Sequence, residues 1–326
     1  MLKIIAEAAT CHGGQLELAK QLIRMAADAG ADTVKFQHIV PESLYSTKIL
    51  ESGEWIPNPA ILKRTKERLS HSELLLLKNF ADDIGIEFAL TLFDVESLKL
   101  VDELGLPFVK VASGDLSFTL FLNQIGKLPV PVIMSTGMSS ISEIEIAIDA
   151  LNLQDKQDLT LLHCVSVYPC EARLVNLNRI LVLKELGFRV GYSDHTLGDW
   201  AAHTAVGLGA SVIEKHIRLK NGPVTSDYDH SMIEDEFKRF VTSLREVDKA
   251  LCNNGLALSD EERIVKARAR RGVYASKDIE SIISLTDLTF LRPESDFGPM
   301  DYRDLIGRRV KQLIPSGHPI LKKYLE

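Results

Sequence analysis

Cysteine is scarce in this chain: Cys11, Cys164, Cys170 and Cys252 are its four, and no two of them form a Cys-x-x-Cys pair. Neither a zinc ribbon nor a disulfide framework is built from such a set, which fits reduced thiols in a cytoplasm. Long apolar runs are missing as well. No stretch approaches the roughly 20 apolar residues that span a bilayer. The opening Met1-Leu2-Lys3-Ile4-Ile5-Ala6 is interrupted by Glu7 before it reaches the length of a signal peptide. Nor is there a block of like charge: the net charge is -7 and the pI is near 5.8. That balance argues against a nucleic-acid phosphate binder and for small-molecule partners. With 326 residues, 45% of them hydrophobic, the chain can bury one large core and still supply a small second domain.

What the sequence does have is eight short apolar runs in its first two thirds, each ending in residues able to do chemistry. They are Ile4-Ile5-Ala6, Thr33 to Phe36, Phe88-Ala89-Leu90, Phe108 to Val111, Val130 to Met134, Leu159 to Leu162, Val190-Gly191-Tyr192 and Val212-Ile213. At or beyond their ends stand Glu7, Lys35 with Gln37, Thr91, Lys110 with Ser113, Ser135 with Thr136, His163 with Ser166, Ser193-Asp194-His195 and Glu214-Lys215-His216. Between them lie segments of helical period, such as Leu16 to Ala29, Ser72 to Ile84, Val95 to Leu104, Ile141 to Leu151 and Glu234 to Leu251, several closing on glycine. Alternation of this kind predicts an α/β fold, a (β/α)8 TIM barrel over residues 1–255, with the strand ends gathered on one rim where barrel enzymes keep their active sites.

The gap from Pro41 to Arg68 is the longest between runs, and reads equally as a lid or as an idle insertion. After Leu251 the pattern changes. Asn253-Asn254-Gly255 breaks the last helix, residues 256–270 form a charged connector, and 271–326 make a compact second domain. There Gly272 to Ala275, Leu288 to Leu291 and Gly307 to Leu313 read as short strands. So small a domain is marginal alone and gains stability by docking as a cap.

His195 and His216 end adjacent strands of the expected barrel. Neighbouring rim imidazoles can share one divalent metal, and with no cysteine at a comparable rim position the shell suits manganese, magnesium or iron at least as well as zinc. A lone rim histidine more often caps a loop. Lys35 and Lys110 lie inside apolar runs, so each calls for an anionic ligand, Schiff-base chemistry, or a buried pair with Glu7 or Asp115. Ser113, Ser135 and Ser193 add the small donors that a phosphate or carboxylate needs. Glu7 reads as a group that orients a sugar hydroxyl or polarises water, or as a helix-capping carboxylate. His163, followed by Cys164 inside its run, reads as a core histidine, and His12 is ambiguous.

Taken together, Ala6-Glu7 with His12-x-Gly14, Val34-Lys35-Phe36-Gln37, Lys110-Val111-Ala112-Ser113-Gly114, Ser135-Thr136-Gly137-Met138, Leu162-His163-Cys164 with Tyr168-Pro169, Gly191 to Gly198 and Ile213-Glu214-Lys215-His216 resemble the sialic acid synthase family. The C-terminal part, with Leu291-Arg292-Pro293 and Leu305-Ile306-Gly307, resembles that family's antifreeze-like (SAF) domain. The resemblance implies condensation of phosphoenolpyruvate with a mannosamine-type amino-sugar aldose, giving a nine-carbon 2-keto sugar acid and phosphate. It implies that His195 and His216 hold Mn2+ or Mg2+, and that Lys35, Thr91, Lys110, Ser113, Ser135 and Ser193 surround phosphoenolpyruvate with Tyr168 nearby. Glu7, Asp227 and Arg292 would meet the sugar, Arg292 supplied by the partner of a domain-swapped homodimer. The chain departs from the family at Cys11 and Ser166, where Asn is usual, at Asp115, where Glu is usual, and at Glu294, where Gly is common. The first three departures bear on the sugar, pointing to a roomier pocket near Asp115 and Ser166, and the fourth on the Arg292 contact. The rival expectations are a synthase making a shorter keto acid from a sugar phosphate, and a non-catalytic carbohydrate-binding barrel.

Overall fold

A computed structural model describes residues 2–251 and 255–326. Cys252 and the Asn253-Asn254 part of the expected helix break lie outside the described residues. The chain divides into two compact units, Met1–Cys252 and Asn253–Glu326.

Each of the eight apolar runs is a barrel strand. In chain order the strands are Lys3–Ala9, Thr33–His38, Glu87–Leu92, Val109–Val111, Val132–Ser135, Leu159–Cys164, Arg189–Asp194 and Val212–His216. All neighbours are parallel, and the eighth strand closes the ring by pairing with the first, Glu7 opposite His216. Strands buried on both faces need apolar side chains outward toward the helices as well as inward, which is why they read as continuous runs. The helices between them follow their sequence signals. Leu16–Ala29 buries a stripe containing Ala19, Leu22, Ile23 and Ala26, and it stops at Gly30, whose φ of 83° lets its N–H reach the carbonyls of Ala26 and Ala27. Ser70 with Glu73, and Ser140 with Glu143, form capping boxes that start the helices His71–Ile84 and Ile141–Leu151. The segment expected as one helix from Val95 is instead a 3₁₀ turn, Glu96–Lys99, running into a single α-turn, Leu100–Glu103.

Inside the barrel Ile5, Ala89, Phe108, Ile133, Leu162 and Val212 form a separate apolar plug. Two residues further along the same strands come Glu7, Thr91, Lys110, Ser135, Cys164 and Glu214. Side chains alternate along a strand with period two, so the plug and these residues share the inward face. The barrel interior therefore changes from hydrocarbon to reactive groups within one layer. At Gly191, a Cβ would fall 2.5 Å from Leu162 Cδ2 and from the Val212 carbonyl oxygen, so the plug is closed there to any larger residue.

The gap from 41 to 68 is ordered, with a short hairpin of Lys48–Glu51 and Glu54–Pro57 followed by the helix Pro59–Glu67. That helix is tied to the rim: Arg64 donates to Thr10 Oγ1 at 3.1 Å, and Lys63 to Ser226 Oγ at 2.7 Å. In the second unit Gly272–Ala275 and Leu288–Leu291 pair as an antiparallel hairpin. Over 307–313, expected as a third strand, only isolated bridges form, Arg309 to Ile282 and Val310 to Leu325. The charged connector carries a helix, Asp260–Ala269, capped by Ser259 and Glu262.

On the outward face of the seventh and eighth strands Asp194 and Lys215 form a fully buried ion pair at 2.9 Å. Lys215 also donates to the carbonyls of Thr196 and Gly198, while Asp194 accepts from the backbone N–H and hydroxyl of Thr196. Removing one partner strands a charge in a dry interior. Asp194→Ala is therefore expected to lower the free energy of unfolding in denaturant by about 3–5 kcal/mol, and a loss under about 1 kcal/mol would contradict that role.

Candidate active site

The reactive layer opens on a cavity of about 280 Å³ at the C-terminal rim. Glu7, Lys35, Thr91, Lys110, Ser113, Ser135, Ser166, Tyr168, Ser193, His195 and His216 all line it. Three of the expected site residues do not. Asp115 is buried in a 3₁₀ turn, Ser113–Asp115, just past the lining Gly114, and its Oδ2 has no hydrogen-bond partner. Asp227 lies on the segment after the eighth strand, and Arg292 is exposed in the second unit, after the strand Leu288–Leu291. Among the lining residues that carried no role in the sequence are Gln37, Glu214 and Cys164. Cys164 also corrects the expectation of a rim without cysteine: its Sγ lies 3.0 Å from Ser113 Oγ.

Two ammonium groups and two carboxylates meet at the cavity floor. Lys35 contacts Glu7, lies 3.4 Å from Glu214 Oε2 and donates to Thr91 Oγ1 at 2.8 Å. The alternative weighed for this lysine, a buried pair with Glu7, is thus present. Lys110 differs. Its partner is not Asp115: it donates to Ser135 Oγ at 2.7 Å and to the Val111 carbonyl at 2.9 Å, and its nearest carboxylate oxygen, on Glu214, is 4.0 Å away. Ser193 Oγ donates to Glu214 at 2.7 Å, and Gln37 to Glu7 at 3.2 Å.

The two carboxylates are unequal. Burial pushes Glu7 up to about 7, opposed by Lys35 and reinforced by the charge on Glu214. Burial acts on Glu214 too, but Lys110, Lys35 and the Ser193 hydroxyl outweigh it and hold the carboxyl at about 2. Lys35 is shared between them, whereas Glu214 has Lys110 as well, so Glu214 keeps its charge more firmly. Lys35 is raised, its two carboxylates overcoming burial, and Lys110 is lowered by burial. Lys110 is therefore the cation in greater need of an anion.

Beside this quartet three imidazoles converge. His195 and His216 have ring centroids 5.5 Å apart, and His230, which the sequence did not single out, stands 4.6 Å from His216 and 5.9 Å from His195. Tyr168 covers His195 at 4.3 Å and His230 at 5.0 Å. Burial holds all three histidines below the ordinary imidazole value, so at neutral pH they are uncharged, as metal ligands must be. His195 donates from Nδ1 to the Val165 carbonyl at 2.9 Å, which turns the lone pair to Nε2 and is the usual support for a metal-binding imidazole. Buried His216 Nδ1 and His230 Nε2 have no hydrogen-bond partner. Among the described residues, His216, Asp227 and His230 each offer one ligand atom, all within 4.8 Å of one another. The donor set fits a divalent cation. His163 is not part of it; its Nε2 is bonded to the Val175 carbonyl at 2.7 Å. His12 accepts the Gly14 N–H at 3.0 Å and closes its own loop.

Residues 22–255 match the NeuB family, and residues 270–326 match the SAF domain. The chain belongs to the NeuB family. An N,N'-diacetyllegionaminic acid synthase of Legionella pneumophila is 35% identical over 99% of this chain and 94% of its own length. A synthase of the same name from Campylobacter jejuni is 37% identical, with 94% of each protein covered. The crystal structure of an N-acetylneuraminic acid synthetase from Leptospira borgpetersenii, in complex with citrate, superposes with a TM-score of 0.71 at 34% identity, covering 81% of this chain and 90% of that one. In this NeuB-family barrel the rim and the two-residue alternation account for where the reactive side chains stand.

The depressed carboxyl at Glu214 has a pH signature. A folded value near 2 against an ordinary 4.5 contributes stability above 4.5 that is lost as pH falls through 2. In Glu214→Gln the loss of unfolding free energy between about pH 5 and pH 3 is expected to be smaller than in the wild type. Equal losses in the two proteins contradict the assignment.

Proposed function

We propose that the protein condenses phosphoenolpyruvate with a free amino-sugar aldose, forming a nine-carbon 2-keto sugar acid and inorganic phosphate. The observation that carries this reading is Lys110: a buried ammonium at the mouth of a barrel, bonded only to a hydroxyl and a carbonyl, with its nearest carboxylate oxygen 4.0 Å away. The names of the relatives, matched over nearly their whole length, supply the reaction.

In this reading Lys110, Ser135 and Ser113 take the anionic groups of phosphoenolpyruvate, with Lys35, Thr91 and Ser193 along the floor and Tyr168 over the imidazoles. Fixed donors of this kind hold the reactive carbon in place without the cost of reorganising solvent. His195 and His216, with Asp227 close by, would hold Mn2+ or Mg2+. The cation's contribution when bound is Lewis acidity toward the aldehyde oxygen. C3 of phosphoenolpyruvate attacks the aldehyde carbon, positive charge develops at C2, and water adds there. Glu7, pushed up to about 7, is suited to take the proton of that water. Collapse to the ketone then releases phosphate with its bridging oxygen. No Schiff base is needed, and Lys35, already held by two carboxylates, is poorly placed to form one.

The acceptor we favour bears two acetamido groups, as in a diacetamido-trideoxy hexose. Cys11, Asp115 and Ser166 are shorter or less strongly hydrogen-bonding than the residues the resemblance leads one to expect, which supports a roomier pocket able to take a second acetamido group. The same reading takes the working form to be a cytoplasmic homodimer, Arg292 of one chain meeting the sugar in the other. Among the described residues no helix is long and apolar enough to cross a membrane.

Phosphate release and product mass, measured with phosphoenolpyruvate and a panel of free and phosphorylated aldoses, test this. Release is expected only with free amino sugars. Lys110→Ala is expected to weaken phosphoenolpyruvate binding by about tenfold or more, since a charge-assisted bond is worth about 1.5–3 kcal/mol. Turnover confined to sugar phosphates, or unaltered binding in the variant, counts against the reading.

A further inference from the structure

The segment after the eighth strand is held tightly against it. Met232 donates its N–H to the His216 carbonyl and accepts from the Arg218 N–H, both at 2.9 Å, in a bridge that continues the strand for one more step. The 3₁₀ turn Tyr228–His230 precedes this bridge, and Ser231 donates its hydroxyl to the Asp227 carbonyl. Asp227 and His230, three residues apart, are thereby fixed beside the end of the strand that carries His216. The His230 ring is only 2% exposed, yet its Nε2 has no hydrogen-bond partner, with Asp227 Oδ1 4.0 Å away. His216 Nδ1 is equally buried and equally without a partner. A buried polar atom left unpaired is costly, and a single cation between these two, on rings whose centroids are 4.6 Å apart, satisfies both.

We propose that His230 is a ligand of the divalent cation at this mouth, together with His216 and Asp227, whose ligand atoms lie within 4.8 Å of one another, and beside His195, whose ring is 5.9 Å from that of His230. Imidazole suits iron, cobalt and zinc, whereas magnesium prefers oxygen ligands and water. A shell enriched in imidazole therefore favours a transition-metal ion, Mn2+ of the two named above, over Mg2+, and His230 makes it hold that ion more tightly than two histidines would. The inference rests on the condensation reading for the cation's task, but not for its binding.

Cobalt tests it directly, because Co2+ reports its ligands through visible absorption without any turnover. The apo full-length protein is expected to bind one Co2+ per chain and to keep it against an equal concentration of Mg2+. In His230→Ala and His230→Gln the Co2+ dissociation constant is expected to rise at least about tenfold and the absorption band to change, while the far-ultraviolet circular dichroism and the melting curve stay those of a folded barrel. A histidine that merely packs against Tyr168 leaves the band and the affinity untouched. Unchanged Co2+ binding in both variants overturns the proposal, as does a wild type that takes no Co2+ or gives it up to Mg2+. If either variant is unfolded, the other decides. Phosphate release from phosphoenolpyruvate on the same preparations keeps the two ideas apart: a wild type that binds Co2+ through His230 but releases no phosphate with any amino sugar sinks the function and leaves the ligand standing.

Discussion

The buried pair of Asp194 and Lys215 fixes the geometry on which the mouth of this barrel depends. Its two members sit directly opposite one another in the register of the seventh and eighth strands, and each is followed at once by a histidine of the site. Because strand side chains alternate, turning Asp194 and Lys215 outward forces Ser193, His195, Glu214 and His216 inward. Slipping either strand by one residue would place one of these charges in the cavity and one imidazole under the helices. A buried ion pair adds little net stability, since desolvation offsets most of the Coulomb attraction, but a wrong register leaves both charges unpaired. Lys215 spends its remaining donors on Thr196 and Gly198, so the loop after His195 is pinned by the same group.

Given that register, the inner layer is an electrostatic device with uneven halves. Two ammonium groups face two carboxylates in a space nearly closed to water, yet the charges are not paired off one to one. Glu214 draws on both lysines and Ser193, while Glu7 has only a share of Lys35, so Glu7 is the carboxyl that gives or takes a proton near neutral pH. Lys110 keeps the more distant carboxylate and the more open approach. An entering anion meets a cation whose field is not already cancelled, at low local dielectric, where such a contact counts for most. The neutral imidazole cluster adjoining it provides lone pairs rather than charge. In the proposed reading, anion receptor, proton-exchanging carboxyl and cation site thus lie side by side without neutralising one another.

Much of this was legible in the chain because a fully buried parallel strand has no polar positions to blur it. The eight runs stand out for that reason, and the reactive residues stand out as their interruptions. Lys35 and Lys110 could be placed inside the barrel from the sequence, but which of them is already paired could not, since that depends on Glu214. Glu214 was visible beside His216 without a role, because only the cross-strand register sets it between the two lysines. Cys164 was visible in the Leu162-His163-Cys164 motif but carried no role, because inside an apolar run it reads as ordinary core. His230 escaped because it lies in an aperiodic segment; its one signal was the Asp227-x-x-His230 spacing, which puts a carboxylate and an imidazole on one side of a single turn. In the second unit, 307–313 alternates like a strand, but it finds only isolated bridges and stays irregular.

The fate of one oxygen tests the central claim most directly. Phosphoenolpyruvate labelled with 18O at the bridging position, incubated with the protein, a divalent metal and a diacetamido-trideoxy hexose, is followed by mass spectrometry of both products. Attack by C3, addition of water at C2 and departure of phosphate predict one labelled phosphate for each unlabelled nine-carbon keto acid. Label retained in the sugar acid, or phosphate released without any new carbon–carbon bond, would contradict the account.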